Sequence, residues 1–184
     1  MKNLKINRED AVLVAIDFQE RLMPAMKNNK ELEEKMVKLT KGCRVMGLPI
    51  LTTQQYTKGL GETVAEIKEA MGDQFCPIEK TSFSAMGEPE FVKALEATGK
   101  KTVILTGIEA HVCVQQTGLD LLESGYRVFL VTDAVASRDN NDKKYAQRRI
   151  SDAGATGTTY EAVLFELVGG AREEGFKQIS AIVK

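Results

Sequence analysis

The run Ala11-Val12-Leu13-Val14-Ala15-Ile16 constrains this chain more than any other feature: it is apolar throughout, with no polar alternation. A strand with one face in water alternates apolar and polar side chains. A continuous apolar run has to be buried on both faces, as a strand is inside a parallel sheet covered by helices. Lys101-Thr102-Val103-Ile104-Leu105-Thr106, Arg127 to Val131 and the shorter Pro49-Ile50-Leu51-Thr52-Thr53 read the same way. Between them lie amphipathic stretches. Leu32, Met36, Leu39, Cys43 and Met46 recur at helical spacing from Lys30 to Met46, and Gly47 stops the helix.

Further along, the spacing predicts a loop holding Gly59 and Gly61, a helix through Ile67, an extended piece near Cys76-Pro77-Ile78 and a helix over Pro89 to Ala97. A tight turn over Gly107 to Ala110 and a helix over Val112 to Leu122 follow, then a polar loop over Ser137 to Asp142, a helix through Ile150, a short strand over Thr156 to Tyr160 and helices to Lys184. Alternating strands and helices predict an α/β, three-layer, Rossmann-like fold: a mostly parallel sheet of about six strands with helices on both faces. No linker composition divides the 184 residues, so residues 1–184 are expected to form a single domain.

Charge and cysteine usage narrow the function. With 25 Lys+Arg against 26 Asp+Glu the net charge is -1, which gives no electrostatic reason to bind nucleic acid. No run approaches the roughly 20 apolar residues that span a membrane. The three cysteines, Cys43, Cys76 and Cys113, are far apart, and Met1-Lys2-Asn3 opens no secretory leader, so a reduced, cytoplasmic setting is expected. One histidine, His111, cannot build a His-rich metal site. A small-molecule ligand, with no metal and no cofactor, is the expectation that remains.

In an open α/β sheet ligands sit at the carboxyl ends of the strands. Asp17 closes the first strand, Lys80 follows the extended piece, and Cys113 opens the helix after the Val103 strand. Each has a structural alternative: Asp17-x-x-Glu20 as a helix cap, Lys80 as a solvated lysine, Cys113 as a small buried hydrophobe. A thiol in a helix's first turn meets the positive end of the helix dipole, which favours thiolate. Cys43 lies on an apolar helical stripe and Cys76 has no activator. His111 is two residues from Cys113, and positions i and i+2 of a helix point apart, so a Cys-His dyad would need an irregular turn. Asp17 and Lys80 supply a carboxylate to take the thiol proton and an ammonium to hold the charges. A nucleotide site is a poor fit, because Gly59-x-Gly61 lacks a third glycine at Val64 and no glycine stands in the first β-α turn.

The segments Asp17-Phe18-Gln19, Lys80-Thr81-Ser82-Phe83-Ser84 and Gly107-Ile108-Glu109-Ala110-His111-Val112-Cys113-Val114 resemble, in order and spacing, the three motifs of the isochorismatase-like cysteine hydrolases. The resemblance implies an Asp17-Lys80-Cys113 triad, a cis peptide at Ile108-Glu109 and an oxyanion hole from the amides of Glu109 and Cys113. It implies hydrolysis of a small amide or carbamoyl C–N bond through a thioester, and a homo-oligomer. Where metal-containing nicotinamidases carry Asp-x-His, this chain has Gln54-Gln55-Tyr56-Thr57, without ligands. Isochorismatase proper typically lacks the cysteine. The run Thr53 to Val64 resembles the isochorismatase-domain-containing subgroup. Phe18, Gln55, Tyr56 and Phe83 are expected as walls of the substrate pocket. The alternative is a non-catalytic or scaffold member. For that reading Ala162 to Val168 is either an oligomer contact or a helix covering the core.

Overall fold

The computed structural model describes residues 4–184. Six strands, β1 (Ala11–Ile16), β2 (Ile50–Gln55), β3 (Pro77–Lys80), β4 (Thr102–Ile108), β5 (Arg127–Ala136) and β6 (Thr156–Thr158), form one sheet in the order β3-β2-β1-β4-β5-β6, with every neighbouring pair parallel. Parallel neighbours need crossovers, and helices supply them. These are α1 (Asn29–Val45), α2 (Thr57–Leu60), α3 (Ala65–Met71), α4 (Pro89–Ala97), α5 (Gln115–Glu123), α6 (Asn140–Asp152), α7 (Tyr160–Val168) and α8 (Phe176–Val183). No helix among the described residues is long and apolar enough to cross a membrane.

The unbroken apolar run of β1 serves two cores. Leu13 and Ala15 pack on one face with Met36, Leu39, Ile67 and Leu164, whereas Val12, Val14 and Ile16 pack on the other with Phe91, Leu95, Leu121 and Ile150. Each fully buried aliphatic or aromatic side chain contributes about 1.5–3 kcal/mol. Within 162–168 of α7, Val163, Leu164, Leu167 and Val168 are buried, which makes it a core-covering helix.

Several boundaries depart from the sequence reading, and most departures concern the carboxyl edge. β2 runs on to Gln55 and β4 to Ile108, so Gly107 and Ile108 are strand rather than turn. β5 continues to Ala136 instead of stopping at Val131, after an irregularity that shifts its pairing from Leu105↔Leu130 to Gly107↔Val135. The carboxyl ends gain length because neighbouring strands give their backbones partners there, a tertiary effect that local pattern does not carry. β6 ends at Thr158, and Thr159 caps α7 by accepting a bond from the Ala162 amide.

The chain leaves β1 toward β2 and β3, then returns to β4 on β1's other side. The crevice between the ends of β1 and β4 is therefore the topological switch point. Gly107 makes this junction possible. It pairs with Ile16 at a φ of 144°, and a Cβ there would lie 2.5 Å from Ile16 Cβ and 2.6 Å from Ile16 O. Backbone cannot yield as a flexible side chain can. Gly107→Ala is expected to lower the unfolding free energy by about 2–4 kcal/mol, from overpacking and a disfavoured φ together, as read by urea denaturation. A wild-type midpoint would show that the strands part freely.

Candidate active site

β1 delivers Asp17 directly to the switch point. The residue has a φ of 54°, in the left-handed region that side chains other than Gly seldom adopt, and it is fully buried. Its side chain does not cap a helix. Oδ1 accepts a hydrogen bond from Thr53 Oγ1 at 2.8 Å, and Oδ2 lies 2.8 Å from Lys80 Nζ in an ion pair. Thr53 is there because β1 and β2 run in parallel with Ile16 opposite Thr53, so the residue after β1 meets the end of β2.

Lys80 ends β3, two strands from β1, and its long side chain crosses the end of β2. It is 1% exposed, not a solvated surface lysine. Besides its ion pair with Asp17, Nζ donates hydrogen bonds to Gln55 Oε1 at 2.6 Å and to the Ser82 and Phe83 carbonyls at 3.1 Å each. Three ammonium protons thus face four oxygens, and this satisfaction is what lets a cation sit in the interior. Gln55 is itself fixed, donating from Nε2 to Thr81 O at 2.8 Å. Gln19, fully buried, ties the Asp17 loop to the same strand end through Gln55 N, Gln55 O and Gly61 O.

Cys113 arrives from the other side of the switch point. The Ile108-Glu109 peptide is cis. The helix begins at Ala110, not Val112, with one wide π turn, Ala110–Val114, in which the Gln115 amide reaches Ala110 O. Cys113 is therefore the fourth residue of an irregular turn and is 7% exposed, with a narrow window to solvent. Burial, the Asp17 carboxylate and a hydrogen bond to it push the thiol up to about 12, against an opposing pull from Lys80. This corrects the expectation of a helix end favouring thiolate: desolvation of a buried anion outweighs the dipole.

His111 shares the irregular turn but faces away. Its Nδ1 lies 2.9 Å from Ser137 Oγ and its Nε2 3.7 Å from Asp142 Oδ2. Of the other cysteines, Cys43 is in the core and Cys76 is exposed. The four expected pocket walls divide. Phe18 is fully buried in the α1-side core and lines nothing. Gln55 holds Lys80. Tyr56 and Phe83 are about half exposed, on the loops after β2 and β3. The Tyr56 ring folds over its own loop, since a Cβ on Gly59 would lie 2.3 Å from its Cε1. Glu109 immediately precedes the turn, and Cys113 lies within it. Among the described residues no group of three His, Cys, Asp or Glu could hold a metal ion.

The sequence and fold have relatives. The isochorismatase domain model matches residues 11–162. This chain belongs to the isochorismatase family. It is 40% identical over 174 residues, 94% of its length, to isochorismatase domain-containing protein 1 of Salmo salar, and spans 60% of that protein. A structure described as the MAR1 ribonuclease of Caenorhabditis elegans is 39% identical, covers 97% of this chain and 92% of its own, and superposes with a TM-score of 0.91. Two YcaC structures each superpose at 0.92 and cover 99% of this chain. The one from Pseudomonas aeruginosa, with hexane-2,5-diol and covalent acrylamide, is 29% identical with 93% of its chain covered, and the one from Escherichia coli, an octameric hydrolase of unknown specificity, is 28% identical with 92% covered.

If burial governs the thiol, wild-type protein minus Cys113→Ser is expected to give no ultraviolet thiolate absorbance at neutral pH. The signal should rise only in strongly alkaline solution, toward the raised value of about 12. The sign for stability follows. A thiol held protonated by the fold contributes fully below its ordinary value of 9.0, and that contribution is lost as the pH climbs toward about 12. A thiolate step near pH 7 would contradict this electrostatic account.

Proposed function

We propose that this chain is a metal-independent cysteine hydrolase of small amide or carbamoyl C–N bonds. The observation that carries this reading is the meeting of Asp17, Lys80 and Cys113, from three distant segments, at the switch point of the sheet. Such a cluster has a chemistry but little value as packing, because desolvating two charges beside a thiol costs more than an apolar replacement would.

The reaction starts from the neutral thiol. As Sγ forms its bond to the substrate carbonyl carbon, the thiol proton passes to the Asp17 carboxylate, with which the thiol is hydrogen-bonded. Electrons move onto the carbonyl oxygen, which the Glu109 and Cys113 amides receive. Preorganised donors of this kind contribute about 3 kcal/mol each to the transition state. The C–N bond breaks, the amine leaves with the proton from Asp17, and a Cys113 thioester remains. Asp17 then takes a proton from water as the hydroxyl adds to the thioester carbon, and the proton returns to Sγ as the acid departs. Lys80, held among four oxygens, offsets the charge that moves between carboxylate and sulfur.

The covalent acrylamide of the Pseudomonas aeruginosa YcaC structure supports an electrophile-sensitive centre in this fold. The octameric Escherichia coli protein supports a homo-oligomer, and three unpaired cysteines suit a reducing cytoplasm. The likeness to the MAR1 ribonuclease favours a second reading, RNA cleavage. Two facts weigh against it: Lys80 has no proton left for a phosphate, and the near-neutral charge offers no excess of cations to a polyanion.

A panel of small amides and carbamoyl compounds tests the proposal. Cys113→Ala is expected to lower kcat by at least about a thousandfold. Acrylamide should label Cys113 ahead of Cys76, although Cys76 is the exposed thiol. Labelling confined to Cys76, with the panel untouched, would leave the scaffold reading. Cys113-dependent cleavage of RNA would favour the second.

A further inference from the structure

The turn that carries Cys113 is the part of the site with the least regular backbone, and the end of β5 grips it at two points. The shifted pairing of β5 sets Val135 and Ala136 beside Gly107 and Ile108, so the next two residues, Ser137 and Arg138, lie alongside the turn. Arg138 Nε donates to Glu109 Oε1 in a short charge-assisted bond, and Arg138 Nη2 lies 3.5 Å from Glu109 Oε2. Two residues on, His111 Nδ1 meets Ser137 Oγ at 2.9 Å. Asp142 Oδ2, 3.7 Å from His111 Nε2, favours the tautomer with its proton on Nε2, so that Nδ1 accepts from the Ser137 hydroxyl.

Ser137 is 1% exposed, and His111 is the partner that satisfies its hydroxyl. Its carbonyl accepts from the Lys27 amide at 3.2 Å, which anchors the segment to the chain just before α1. The grip therefore reaches back to well-packed structure. Glu109 and His111 are bound from outside by side chains, while the Glu109 carbonyl accepts from the Val112 and Val114 amides on either side of Cys113. Moving either anchor moves the amides and the sulfur together.

We infer that Ser137, acting through His111, and Arg138, acting through Glu109, are positioning residues that hold Cys113 and the neighbouring amides in line with Asp17. None of these four side chains exchanges a proton with substrate. They act by keeping the nucleophile's turn in one geometry, and a small misplacement of a reacting atom costs up to about a hundredfold in rate. The inference rests on the hydrolase reading, yet it is tested without knowing the substrate.

The experiment is the rate of Cys113 alkylation by acrylamide, read by peptide mass, with Cys76 in the same molecules as the internal reference. His111→Ala is expected to slow Cys113 by roughly tenfold or more while Cys76 keeps its rate. His111→Asn, whose side-chain amide can meet Ser137 Oγ where Nδ1 did, should recover most of the loss. A role in packing alone would not be rescued by Asn. Equal rates for wild type and His111→Ala, or an Asn variant as slow as Ala, would overturn the inference. Should His111→Ala not fold, Ser137→Ala and Arg138→Met decide: wild-type rates in both would overturn it, and slowed Cys113 with unchanged Cys76 would support it. A wild-type protein in which acrylamide leaves Cys113 untouched would reject the hydrolase reading itself, a different outcome from unaffected variants.

Discussion

The ion pair between Asp17 and Lys80, 2.8 Å apart with both side chains fully buried, is the interaction on which the rest of the carboxyl edge depends. Two charges taken out of water lose hydration worth several kcal/mol each, and their attraction returns it only when the remaining hydrogen-bonding capacity is met. The surroundings meet it. Thr53 serves Asp17, and Gln55 with the Ser82 and Phe83 carbonyls serves Lys80. Removing one partner of such a pair typically costs about 3–5 kcal/mol, so the ends of β1, β2 and β3 are locked into one arrangement. The proposed chemistry and local stability thus draw on the same contacts.

The same low-dielectric setting decides how the sulfur is used. Burial and the neighbouring carboxylate hold Cys113 as a thiol, in spite of Lys80. A resting thiolate beside Asp17 would repel it. A thiol instead presents a proton to the Asp17 carboxylate. In the proposed reaction nucleophile generation coincides with attack, so a buried negative charge appears only when a substrate carbonyl is there to accept it. The ammonium, fixed by four oxygens, balances either location of that charge.

What was legible in the sequence was what repeats locally. β1 and the core of β4 follow from their unbroken apolar runs, and α1 from its stripe of Leu32, Met36 and Leu39. The meeting of Asp17, Lys80 and Cys113 rests on each standing at a strand's carboxyl end, together with the family resemblance of their segments. What local pattern could not carry was register and direction. Phe18, next to Asp17, turns into the core because the left-handed residue before it redirects the chain, and Gln55 serves Lys80 instead of a ligand because β2 runs two residues further than its apolar pattern. The extension of β5, with the positions of Ser137 and Arg138, depends on a pairing shift against β4 that no short window contains. Thr53 was findable in principle, since parallel pairing of β1 and β2 places it opposite Ile16.

The central claim is that Asp17 receives the proton that Cys113 must lose. The most direct measurement compares acrylamide alkylation of Cys113 in wild type and in Asp17→Asn, with Cys76 as reference. The amide keeps the shape of the carboxyl group but cannot take the proton. The account expects Cys113 to slow by about a hundredfold or more, the lower end of the range that a positioned base contributes, with Cys76 unchanged. Alkylation of Cys113 at the wild-type rate in Asp17→Asn would contradict it.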